Sequence, residues 1–190
     1  MLTSTYTLVA LSVEQSRMRV EVQAVLERWR PRAWWGEPPA QRQYEQACDA
    51  LRRVVDSCHW RKLDRFVLPA LRRRGDASQA LLSEFDTLSR RAVEARAAAE
   101  SAAARGDPGC LAALERCCQL LLERLELEES ELLPLARSVI PDEAWFAIAN
   151  QMLAHDAYRN DTRRAPPGPA ADGSPPAAGE QSGRMMSCLS

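Results

Sequence analysis

The sequence predicts an all-α protein, folded as an antiparallel up-down-up-down four-helix bundle with a short C-terminal helix and a disordered tail. Apolar residues recur at alternating spacings of three and four in four long segments, the pattern of helices that bury one face. Short connections join the second, third and fourth segments, which favours antiparallel neighbours. With 190 residues the chain is long enough for one well-packed core.

The first segment ends near Pro31, and one of its faces is apolar apart from a single glutamine. This face consists of Leu8, Leu11, Gln15, Met18, Val22, Val25 and Trp29. Residues 30–40, RPRAWWGEPPA, contain three prolines and a glycine and are predicted to form a loop. Trp34 and Trp35 in this loop are expected to pack against the core.

The second segment spans residues 41–74, and the third follows Gly75. Pro69 is expected to kink the second helix or to end its regular part, because proline lacks an N–H and clashes one turn back. The inner face of the second segment is Leu51, Val55, His59, Leu63, Phe66 and Ala70. The stripe of the third is Leu81, Phe85, Leu88, Ala92, Ala95, Ala99 and Ala102.

Gly106, Asp107 and Pro108 separate the third segment from the fourth, with glycine past one helix end and aspartate as the next N-cap. The fourth stripe is Leu114, Cys118, Leu121, Leu125, Glu128, Leu132 and Leu135. Pro141 opens a shorter amphipathic helix that ends near His155. From Ala165 onward the chain is rich in proline and glycine and is predicted to be disordered. The expected division is a folded domain at 1–160 and a tail at 161–190.

Composition excludes several functional classes. A net charge of −1 leaves no wide basic surface for nucleic acid. No stretch approaches eighteen apolar residues and the N-terminus lacks a signal-peptide pattern, so neither a membrane span nor secretion is expected. The cysteines have no metal-binding spacing and are predicted to be buried thiols of a cytoplasmic protein. No phosphate loop or nucleophile elbow is present, and we expect no enzymatic activity.

One sequence pattern occurs twice. CHWRKLDRFVLPALRRRGD begins at Cys58, and ERLELEESELLPLARSV begins at Glu123. Aligning the two places His59 on Arg124, Leu63 on Glu128 and Pro69 on Pro134. Each copy therefore keeps one half of a His-x-x-x-Glu pair, which would place two metal ligands on one helix face one turn apart.

Polar residues interrupt three of the four stripes at Gln15, His59 and Glu128, and the third stripe has Phe85 near its start. Bundle proteins build metal sites from such internal layers. The doubled pattern with its aliphatic-Pro-Leu ending resembles the hemerythrin-like (HHE cation-binding) domains. The segment from Glu14 to Arg19 is similar to the Glu-His-x-x-hydrophobic-Arg segment of that family. The resemblance covers roughly residues 8–153.

That resemblance implies a non-haem di-iron centre that binds or senses oxygen, or repairs iron-sulfur sites. At the ligand positions this chain has Gln15 for histidine, His59 retained, Leu63 for glutamate, Phe85 for histidine, Arg124 for histidine and Glu128 retained. One imidazole and one carboxylate do not satisfy two cations. We therefore expect a degenerate member of the family without a cofactor, in which Arg124 and His59 are the polar partners of the buried Glu128 carboxylate. We expect such a protein to serve as a non-catalytic binding or regulatory module.

Three alternatives remain open from the sequence. A reduced metal site with iron or zinc at His59 and Glu128, aided by Gln15, would sense oxygen or nitric oxide or handle iron. The polar layer could instead be only a packed part of the core. An unidentified protein partner could bind Trp34 and Trp35, or Trp145 and Phe146, although aromatic residues at bundle ends more often cap the core.

Overall fold

Every regular element of the described chain is helical, which confirms the all-α prediction. In this computed structural model the described residues are 2–30, 39–59, 61–75 and 78–164, and the side chains of residues 2–4, 58–59 and 159–164 lie outside the description. The predictions for Trp34 and Trp35, for the tail from residue 165 onward and for the role of the His59 side chain fall outside the described residues, whereas residues 161–164 of the expected tail are helical.

The described chain consists of α-helices and two short π-helical turns, which are wider than the turns of an α-helix. The α-helices are α1 (Leu2–Trp29), α2 (Gln41–His59), α3 (Leu68–Arg72), α4 (Gln79–Ala104), α5 (Gly109–Leu127), α6 (Leu133–Val139) and α7 (Asp142–Arg164). Two π-helical turns, in which backbone hydrogen bonds span five residues, are π1 (Leu63–Val67) and π2 (Glu128–Leu132). Gly75 and Gly106 follow α3 and α4 with φ of 81° and 65°, the left-handed conformation that ends helices.

The helices pack around two apolar clusters. Helix α4 packs along α5, and α1 contacts α2, α5 and α7. One cluster includes Trp29, Tyr44 and Leu125, and the other includes Leu11, Leu63 and Trp145. In α1, Gln15 lies between Leu11 of one cluster and Met18 of the other, which places a polar layer where the two clusters meet.

The predicted stripes are confirmed along α1, and they shift by one residue after each wide turn. The expected continuation from Leu63 was Phe66 and Ala70, but the fully buried residues are Val67 and Leu71. A π-helical turn contains one more residue than an α-helical turn, so the buried face moves from the i+3 to the i+4 position. Helical periodicity alone does not predict this shift.

Two predictions about helix ends are corrected. The regular part of the second segment ends before Pro69, because α2 ends at His59 and is followed by π1 and α3. The C-terminal helix is not short: α7 has 23 residues and ends at Arg164 instead of near His155. Residues 155–164 contain neither proline nor glycine, so no helix breaker ends α7 earlier. Among the described helices, none is long and apolar enough to cross a membrane.

Candidate functional site

The two copies of the repeated pattern share one backbone feature. In the first copy the N–H of Leu68 donates to the carbonyl of Leu63, and in the second the N–H of Leu133 donates to that of Glu128. Pro69 and Pro134 follow within the next turn. Because proline has no N–H, the regular hydrogen-bond ladder cannot continue through it, and a wide turn accommodates the break. Both wide turns therefore begin at the position that the resemblance assigns to a glutamate.

The centre of the polar layer is a buried ion pair between Glu128 and Arg61. The Arg61 Nη1 donates to Glu128 Oε1 at 2.7 Å. The two side chains are only 2% and 1% exposed. A short hydrogen bond between charged groups in such surroundings is among the stronger polar contacts in a protein. Arg61 therefore holds the carboxylate that the resemblance assigns to a metal.

Arg124 connects the same carboxylate to a second one. Its Nη2 donates to Asp64 Oδ1 at 2.5 Å, and its Nε lies 3.6 Å from Glu128 Oε1. The guanidinium also covers the ring of Phe85, with its central carbon 4.3 Å from the ring centroid. Phe85 thus contributes a cation–π contact in addition to apolar packing. Two guanidinium groups and two carboxylates form the cluster, and their formal charges cancel.

Gln15 contributes a hydrogen bond to the backbone of α5. Its Nε2 donates to the carbonyl oxygen of Leu125 at 2.7 Å, in a buried position. This bond satisfies the amide within the apolar core. Leu63, at the glutamate position of the first copy, is 1% exposed and fills the layer with hydrocarbon. Gln15 and Leu63 therefore surround the charged cluster without adding charge.

Burial raises the pKa of the Glu128 carboxyl above its ordinary value, and the charges of Arg61 and Arg124 partly oppose this shift. One oxygen of this carboxylate, Oε2, has no hydrogen-bond partner among the described residues, and the same is true of Asp64 Oδ2. Desolvation and incomplete hydrogen bonding act in the same direction, because both disfavour the charged form. The formal charges of the cluster cancel when Glu128 is ionised, and burial makes this carboxyl easier to protonate than an exposed glutamate.

A second group of charged residues lies beside the first copy of the pattern. Glu14 Oε2 accepts a hydrogen bond from the backbone N–H of Lys62 at 3.0 Å, and Lys62 Nζ lies 2.8 Å from Asp156 Oδ2. Burial raises the pKa of Glu14, and its hydrogen bond from Lys62 opposes that shift. His155 lies edge-on to Phe66, with ring centroids 5.8 Å apart. These contacts connect α7 and α1 to the segment that leads into π1.

The described residues do not fit a di-iron centre. Within the described ranges no group of three or more histidine, cysteine, aspartate or glutamate side chains is placed to hold a metal ion. Both carboxylates of the cluster contact guanidinium groups, and Arg124 carries a permanent positive charge where the resemblance expects a histidine. Two iron ions placed there would meet two fixed positive charges and too few donor atoms.

The cluster includes two residues that the sequence did not single out. The expected contacts of Arg124 with Glu128 are present, whereas the position of the His59 side chain lies outside the description. Arg61 was missed because it lies between the end of α2 and the start of π1, where helical spacing does not continue. Asp64 was missed as a partner because it follows the buried Leu63 by one residue, and adjacent helical residues normally face apart.

Comparison with known proteins found no match: no protein-family model, no curated protein and no solved structure matches this chain.

Proposed function

We propose that this chain is a hemerythrin-like domain that has lost its di-iron centre and acts as a non-catalytic binding or regulatory module. The observation that carries the proposal is the contact of Arg61 and Arg124 with Glu128, the glutamate of the second copy. In this proposal the two guanidinium groups supply the positive charge that metal ions would otherwise supply to the carboxylates.

The proposed protein is a helical bundle that binds another protein in the cytoplasm. The bundle expected for residues 1–160 is antiparallel and up-down-up-down, α7 continues to Arg164, and the proposed tail follows it. The expected partner is another protein, in the cytoplasm, and not nucleic acid. Support comes from the stripes that bury one face of each long helix and from the wide turns at corresponding positions of the two copies.

Metal content tests the proposal. The full chain is purified from cells supplemented with iron and zinc, and its metals are measured by elemental analysis together with an ultraviolet-visible spectrum. The proposal predicts well under one metal ion per chain and no oxo-bridge absorption. About two iron ions per chain with that absorption would overturn it, because a di-iron centre needs more donors than the cluster offers.

A reduced site with a single metal ion is the second candidate. It is favoured by Glu128 Oε2, a buried carboxylate oxygen without a hydrogen-bond partner in the described part of the chain. Such an oxygen is a suitable ligand for iron or zinc. This candidate predicts about one metal ion per chain. It also predicts that His59→Ala and Glu128→Ala lose the metal, whereas Glu131→Ala, at an exposed position of π2, keeps it.

A further inference from the structure

Two cysteines from different helices meet near the start of α5, whereas Arg124 of the charged cluster lies in the last turn of that helix. Cys48 lies on α2, and Cys110 lies in the first turn of α5, 62 residues later in the chain. Their Sγ atoms are 3.8 Å apart, and both residues belong to the apolar cluster that contains Trp29 and Tyr44. Both are free thiols in this structure.

The contact between the two sulfur atoms makes the thiols unequal. A hydrogen bond from Cys110 lowers the pKa of the Cys48 thiol, while burial opposes this effect. The same contact, together with burial, raises the pKa of Cys110. Cys48 is 4% exposed and Cys110 0%, so Cys48 is the thiol of the pair that an oxidant reaches first.

The other described cysteines lack these features. Cys117 donates a hydrogen bond from its Sγ to the carbonyl oxygen of Ala92 at 3.2 Å. Burial raises the pKa of Cys118 to about 12. Both are 0% exposed, whereas Cys48 is 4% exposed and lies next to the exposed Asp49. A small oxidant thus meets Cys48 before it meets either of these thiols.

We propose that Cys48 and Cys110 are a redox-active pair that a hydroperoxide converts into a disulfide between α2 and α5. A disulfide has an S–S length of about 2.05 Å, so the two sulfur atoms, now 3.8 Å apart, must approach each other by about 1.8 Å. Rotation of the two side chains about their Cα–Cβ bonds moves sulfur atoms over such distances. The site is independent of the charged cluster and of the function proposed for it.

The reaction is a two-electron oxidation of two thiols. The Cys48 thiolate attacks one oxygen of hydrogen peroxide, an S–O bond forms, and the O–O bond breaks. The hydroxide that leaves takes up a proton and becomes water, and Cys48 becomes a sulfenic acid. Cys110 sulfur then attacks Cys48 sulfur, an S–S bond forms, and the S–O bond breaks. The second hydroxide combines with the proton of Cys110, so that peroxide is reduced to two water molecules.

The disulfide would connect the interior of α2 to the first turn of α5, which is distant in sequence. It closes a loop of about sixty residues, and a crosslink of that length restricts the unfolded chain strongly. The oxidised protein is therefore expected to melt at a higher temperature than the reduced protein, by about 5 °C or more.

Peptide mapping of the peroxide-treated protein tests the proposal. The reduced full chain is exposed to hydrogen peroxide, its remaining thiols are alkylated, and its peptides are identified by mass spectrometry. The expected product is a crosslinked pair of peptides that contain Cys48 and Cys110, with Cys118 still alkylated. Cys118→Ser is the matched control, because it removes a buried thiol of the same helix and should leave the yield of the crosslink unchanged.

Two further results test whether Cys48 is oxidised before Cys110 attacks it. In Cys110→Ser the sulfenic acid on Cys48 should persist and react with dimedone, and circular dichroism verifies that this variant is folded. The proposal is overturned if Cys48 and Cys110 of the unmodified chain remain as reduced as Cys118. It is also overturned if Cys48 proceeds to a sulfinic acid or pairs with another cysteine.

Discussion

The two copies of the repeated pattern have the same backbone and opposite chemistry. Both π1 and π2 are five residues long, and both begin with a residue that is 1% exposed. That residue is Leu63 in the first copy and Glu128 in the second. The same buried position therefore holds a purely apolar side chain in one helix and a charged carboxylate in the other.

The backbone of each copy is determined by its proline, and the chemistry of each buried position by the side chains around it. The prolines at equivalent positions, Pro69 and Pro134, prevent a regular helix and favour a wide turn whatever residue precedes them. The residue that begins the turn can then be apolar or charged, provided that its neighbours are apolar or oppositely charged. Glu128 lies beside the guanidinium groups of Arg61 and Arg124, whereas Leu63 belongs to the apolar cluster that contains Trp145.

The largest expected effect comes from making the second copy resemble the first. Glu128→Leu removes the carboxylate that Arg61 contacts and leaves two guanidinium groups near hydrocarbon. We expect the free energy of unfolding to fall by about 3–5 kcal/mol, because removal of one partner of a buried ion pair strands the other. Urea denaturation followed by circular dichroism measures the change. Glu131→Leu, at an exposed position of π2, should change stability by only about 0.5 kcal/mol.

Truncation of the corresponding leucine should cost less and for a different reason. Leu63→Ala leaves a cavity among apolar neighbours, and we expect a loss of about 3 kcal/mol. The same urea denaturation experiment measures this loss. If Leu63→Ala cost less than about 1 kcal/mol, the first copy would not be packed as described.

Arg124→Lys tests what the guanidinium contributes beyond its charge. Lysine keeps the positive charge but cannot contact Asp64 and Glu128 together while it covers the ring of Phe85. We expect a loss of about 1–2 kcal/mol in thermal or urea unfolding, from weaker hydrogen bonding and a weaker cation–π contact. A lysine variant as stable as the unmodified protein would reduce the role of Arg124 to charge alone.

The smallest expected effect is a dependence on pH that comes from Glu128, because its counterpart Leu63 does not titrate. The pKa of Glu128 is raised in the folded state above its ordinary value of 4.5. Between that value and the raised one the folded protein holds a proton that the unfolded chain has released, so the contribution of Glu128 to stability falls as pH rises.

Comparison with Glu128→Gln isolates this contribution, because glutamine does not titrate. The difference in unfolding free energy, unmodified protein minus variant, should decrease as pH rises from about 4.5 and then level off. Urea denaturation at a series of pH values measures it. A difference that increases over this range would mean that the ion pairs lower the pKa of Glu128 instead.

Much of the fold followed from the sequence, because the stripes in α1, α4 and α5 report which faces are buried. Helical spacing failed at the two π-helical turns, at the end of α2 and at the end of α7. It missed Arg61, since the break after α2 changes which residues face inward, and it missed the shift of the buried face to Val67. A sequence pattern with a fixed period carries no information about the point at which the backbone changes that period.

We expect Arg61 and Glu128 to stabilise each other in the folded protein without a metal ion. A double-mutant cycle with Arg61→Met, Glu128→Leu and the double variant, measured by urea denaturation with and without a chelator, tests it most directly. We predict that the double variant is more stable than the sum of the single losses implies by about 2 kcal/mol or more, equally in both buffers. Additive losses, or a loss of stability on chelation in the unmodified protein, would contradict the claim.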